Sequence, residues 1–110
     1  MRKKWQGDWQ SYQGGAKFWT IRFEHDTFHA ELSADDWYEG KTEIRPEASP
    51  AEIDINIRDC RCSYRGETSK AIYRWEGDSI ILAAPRPGAP RPSSFDERSG
   101  DVVRLERLPD

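Results

Sequence analysis

Two histidines and two cysteines are the side chains here best suited to hold a metal or attack a substrate: His25 and His29 stand four apart, Cys60 and Cys62 two apart. Two imidazoles and two thiolates would complete a tetrahedral zinc site. The spacing argues against it. Structural zinc cysteines are usually separated by about two to four residues, and histidines four apart share a face on a helix, whereas these straddle a polar turn. A disulfide between positions i and i+2 of one extended strand is poor geometry, because both side chains point the same way with their Cα atoms near the upper limit for bridging. Two reduced, partly buried thiols and a hairpin-tip histidine are the simpler expectation. A cysteine nucleophile would draw a positive field from Arg58, Arg61 and Arg65, but nothing identifies its base or an oxyanion site. Asp35, Asp36 and Glu39 lack the spacing of a calcium loop and read as a solvated loop. The chain is therefore expected not to be an enzyme and to hold neither metal nor cofactor.

The remaining chemistry is aromatic. Five Trp, four Tyr and four Phe set this chain apart from disordered ones despite 34% charged residues. A net charge of -3 without a basic stripe argues against a nucleic-acid partner. No apolar run reaches the length of a membrane span. The start Met1-Arg2-Lys3-Lys4 is followed by Trp5-Gln6-Gly7-Asp8 where a leader would be apolar, so a cytoplasmic location is expected. A length of 110 residues suits one domain over 1–110 with a single core.

The elements that must position these aromatics have period two. In residues 18–23, Trp19, Ile21 and Phe23 alternate with Thr20 and Arg22. A polar turn follows, then Phe28, Ala30 and Leu32 take the inner face of residues 28–32, making a hairpin. Ile53, Ile55 and Ile57 mark residues 51–58, and residues 71–75 and 79–83 form a second hairpin about Gly77, which can supply positive φ. With residues 7–13, 41–45 and 102–108, about eight short strands result and no helix. The fold class is all-β, a small antiparallel up-and-down barrel, because closure removes exposed edges. Residues 33–40 read as an acidic loop and residues 85–92, with four prolines, as a connecting loop rather than a ligand for an aromatic-grooved domain.

The order Trp5-Gln6-Gly7-Asp8-Trp9, Ile53-Asp54-Ile55, Gly66, residues 72–78, Ala84-Pro85 to Arg91-Pro92, Phe95 and Val102-Val103-Arg104-Leu105 resembles a family of uncharacterised domains of about this chain's length, abundant in planctomycete-type bacteria. That family resembles a reduced lipocalin or calycin barrel, with Gly7 and Trp9 similar to the lipocalin opening signature. The resemblance implies a small apolar ligand in the barrel mouth. It also implies a closed end where Trp9 lies across the bottom under an arginine. Arg107 is chosen over Arg104, because it shares the parity of Val103 and Leu105. Typical lipocalins are longer, end with a helix that is not visible in this sequence and are mostly secreted behind a signal peptide, and a barrel this small can be filled by its own side chains.

Trp19, Phe23, Phe28, Tyr73 and Trp75 all fall on the inferred inner face, as a core demands first and an apolar ligand pocket second. Trp37 and Tyr38, in the acidic loop, are the candidates for a protein-partner surface. The expected role is a non-catalytic binding module for a small apolar ligand or a protein partner. The alternatives are an accessory interaction subunit with a filled barrel and, more remotely, a cysteine-dependent enzyme.

Overall fold

A computed structural model describes residues 3–96 and 101–109. One 3-10 turn, Lys3–Trp5, precedes eight strands: β1 (Gly7–Gln13), β2 (Ala16–Glu24), β3 (Thr27–Ser33), β4 (Asp36–Arg45), β5 (Ala51–Cys60), β6 (Thr68–Glu76), β7 (Ser79–Ala84) and β8 (Asp101–Arg107). Each strand pairs antiparallel with the next, and β8 returns to β1, so the sheet closes as an up-and-down barrel. Closure leaves no unpaired edge.

Alternation explains the register. Ile21 lies opposite Trp9 on one side and Ala30 on the other, Phe23 opposite Phe28, Ile53 opposite Ile44 and Ala71, and Leu82 opposite Tyr73 and Val103. These inward residues form one continuous core. Leu32, expected inside, is 45% exposed, because the β3–β4 register shifts between Glu31 and Ser33 at the end of the ladder. Residues 36–40 are strand rather than loop, so Trp37 and Tyr38 stand on β4. Between Glu39 and Gly40 the partner on β5 jumps from Asp59 to Ile57. Arg58 is the extra residue of a bulge, and parity past it inverts, turning Cys60 inward to 1% exposure.

The two cysteines are bonded to each other, which corrects the expectation of free thiols. That expectation assumed an extended chain through both positions, but β5 ends at Cys60 and the backbone bends at Arg61. The Cα atoms close to 5.2 Å, well inside the range a disulfide spans.

The proline-rich connection is also more than a link. Ile72, Ile81 and Ala83 point out of the barrel yet are buried, because the chain after β7 returns across the outside. Its Arg91 donates to the Ala71 carbonyl at 2.9 Å and to Asp54 at 2.5 Å, and Phe95 lies 4.6 Å from the Arg74 guanidinium. Asp54 also pairs with Arg45 at 2.9 Å. Burial pushes the Asp54 carboxyl up, but the hydrogen bonds from Arg91 and Arg45 outweigh it and hold the group below its ordinary range.

A carboxyl depressed in this way contributes stability that is complete above its ordinary value of 3.8 and is lost as the pH falls through the lower, folded value. Asp54→Asn is therefore expected to be less stable at neutral pH. Its urea midpoint should also fall less steeply than the wild type's between about pH 5 and 2.5. Parallel declines would mean that the pairing to the strap adds nothing.

Candidate functional site

The barrel has a plugged end and an open one. At the plugged end the 3-10 turn carries Trp5 inside, where its ring meets Tyr73 at 4.9 Å, Phe23 at 5.3 Å and Trp75 at 5.8 Å, all edge-on. The Trp5 carbonyl accepts the indole N–H of Trp9 at 2.9 Å, which keeps the one polar atom of a fully buried ring satisfied. Trp5 was not among the sequence candidates. It lies outside any alternating run, so periodicity carries no signal for it.

Arg107 pairs directly across from Trp9 in the β1–β8 ladder, and its guanidinium lies 4.3 Å from the centre of the Trp9 ring. Its N–H groups donate to the carbonyls of Gln6, at 2.6 Å, and Lys4. The N-terminal turn is thus tied to the last strand. Arg107→Ala is expected to cost about 1–2 kcal/mol in chemical denaturation, from the lost cation–π contact and two charge-assisted hydrogen bonds. Arg104 points outward into exposed pairs with Glu76 and Glu106, so Arg104→Ala should cost far less. Equal losses would remove the special role of Arg107.

Above this plug lies a cavity of about 370 Å³, at the small end of known ligand sites. Its floor and walls are apolar, with Phe23, Phe28, Ile53, Ile57, Leu82 and Leu105 prominent, and Trp5 forms part of the base. Trp19, Phe23 and Phe28 line it, as a pocket reading requires, whereas Tyr73 and Trp75 do not: they are spent in the aromatic stack around Trp5. Tyr38 and Trp37 part company. Tyr38 faces inward opposite Ala30 and Cys60, with its ring 5.1 Å from Trp19. Trp37 faces outward and stacks on His29, which also holds Glu39 at 3.0 Å. Each is half-buried, so the expectation of an exposed aromatic pair in a loop is replaced by one residue on each face of a strand.

Polar groups gather toward the open end. Gln13, Arg86 and Asp101 line it, and the Gln13 amide faces the Asp101 carboxylate at 3.5 Å. The Ser69 hydroxyl donates to the Pro85 carbonyl at 2.8 Å, fixing the start of the strap at the rim. The turn that follows the disulfide brings in Tyr64, whose backbone N–H donates to Cys62 Sγ at 3.4 Å. The Tyr38 phenol is pushed up from its ordinary value by burial first, then by the nearby Asp36 and Tyr64, and so stays protonated.

The structure does not bring the histidines and cysteines together. His25 sits in the β2–β3 turn with φ 56°, and His29, level with Glu39 and Asp59 in the ladder, is on the outer face, whereas Cys60 faces into the barrel and is bonded to Cys62. Among the described residues no group of three or more His, Cys, Asp or Glu side chains is placed to hold a metal. No family model, curated protein or solved structure matches the chain.

Proposed function

We propose that this barrel is a non-catalytic binding module that takes a small, largely apolar molecule in its interior. The observation that carries the reading is the unfilled 370 Å³ space lined by Trp19, Phe23 and Phe28, in a barrel whose other end is packed solid. A core built only for stability would close such a void, since unfilled apolar volume costs stability in proportion to its size. The outer surface supports an aqueous setting. It carries ion pairs such as Arg22 with Asp8 and Arg104 with Glu76 and Glu106, where a lipid-facing barrel needs an apolar band. Among the described residues no helix is long and apolar enough to cross a membrane. The disulfide bears on location, because such bonds persist mainly in oxidising compartments, and it weighs against the cytoplasmic expectation.

The test is titration with the neutral dye N-phenyl-1-naphthylamine. Its fluorescence should rise saturably with the wild-type protein. Ala30→Trp, which projects an indole into the cavity from β3, should weaken binding by at least about tenfold while leaving a cooperative melt. A folded wild type that leaves the dye dark would end this reading. A protein partner is the second reading, favoured by Phe18 and Leu32, which are 41% and 45% exposed at the open end. That reading predicts self-association or co-purifying chains with an empty cavity.

A further inference from the structure

The cavity's hydroxyls identify the chemistry of its occupant. Three of them have protons to give. Ser11 is 1% exposed, and its Oγ accepts the Trp19 N–H at 2.8 Å, so the remaining hydrogen-bonding capacity includes a proton that no described residue accepts. Tyr38 and Tyr64 line the same space, and among the described residues neither phenol has a hydrogen-bond partner. The Ser69 hydroxyl, by contrast, is used by the Pro85 carbonyl and is not available. The Ser11 hydroxyl is fully buried, so its unused proton is costly until a bound molecule supplies an acceptor, and the half-buried Tyr38 and Tyr64 add two further donors that such a molecule can engage.

Charge at the rim adds a second constraint. Arg86 and Asp101, one charge of each sign, both line the cavity. A carboxylate head would meet Asp101, and an ammonium head would meet Arg86. An uncharged head meets neither penalty.

We infer that the cavity receives a small uncharged molecule whose apolar body carries an acceptor oxygen, a carbonyl or ether, for the donor hydroxyls of Ser11, Tyr38 and Tyr64 that line it. This rests on the binding reading above and adds the class of ligand to it.

Three naphthalenes of nearly equal shape test it by isothermal titration: 2-acetylnaphthalene, 2-isopropylnaphthalene and 2-naphthoate. The ketone should bind about tenfold more tightly than the hydrocarbon, the difference one well-formed hydrogen bond supplies, and more tightly than the anion. In the Tyr38→Phe/Tyr64→Phe double variant, checked for an unchanged melt, the ketone's advantage should collapse while hydrocarbon affinity stays the same. Ser11→Ala offers an independent check that leaves both phenols in place. Equal affinity of ketone and hydrocarbon for the wild type would overturn the inference while sparing the cavity as a binding site. Tightest binding of 2-naphthoate would overturn it in favour of an anion held by Arg86. If none of the three binds, the binding reading falls and takes the inference with it.

Discussion

Gly40→Ala should destabilise the barrel by about 3 kcal/mol or more, enough to lower the melting temperature by roughly 10 °C, although it adds a single methyl group. The reason is the β4–β5 bulge. A Cβ at position 40 would stand 1.9 Å from the Asn56 carbonyl oxygen, 2.9 Å from the Arg58 amide nitrogen and 3.0 Å from the Asn56 carbonyl carbon. All three are backbone atoms of β5, so no side chain can swing aside. The strands would have to separate locally, and the bulge sets the β5 parity that turns Cys60 inward. Gly66→Ala is the control, since its Cβ would meet open space, leaving only the strain of its positive φ. Thermal denaturation by circular dichroism separates the two. A Gly40→Ala protein as stable as wild type would mean that β4 and β5 can part at the bulge without cost.

The same bulge explains where sequence reading succeeded and where it stopped. Alternation in residues 18–23 and 51–57 is legible because one face of each strand is buried and the other solvated. Gly40 among Asp35, Asp36 and Glu39 carries the composition of a turn, so a strand whose glycine serves a close backbone approach is indistinguishable from a loop. The run Ile80-Ile81-Leu82-Ala83 holds a signal that alternation alone does not use. Four apolar residues in succession require burial on both faces of β7, and hence a covering segment outside the barrel. The strap after Pro85 meets that requirement, but its composition marks only an extended connection. The cysteines illustrate a third limit, because their spacing forbids a bond only while the chain stays extended.

Trp5 is where local pattern says least and loss should matter most. Trp5→Ala is expected to cost about 4 kcal/mol, in the range for deleting a fully buried aromatic, a large share of the stability of a domain this size. Three edge-on ring contacts vanish at once, and the space they leave cannot collapse because β1, β2 and β6 are pinned in a closed ladder. The Trp9 indole N–H is less affected, since its acceptor is the backbone carbonyl of residue 5, which the substitution keeps. A second consequence separates plug from ordinary core. Trp5 also forms the base of the cavity, so its removal should deepen the space toward Tyr73 and Trp75. N-phenyl-1-naphthylamine should therefore bind the folded variant at least as tightly as the wild type, even as the urea midpoint falls. Deleting a wall residue whose only role is to shape the open end would instead weaken dye binding at modest cost in stability. If Trp5→Ala keeps wild-type stability, the N-terminal turn does not plug the barrel. If it lowers stability and abolishes dye binding together in protein that remains folded, the cavity depends on the plug for its shape rather than ending against it.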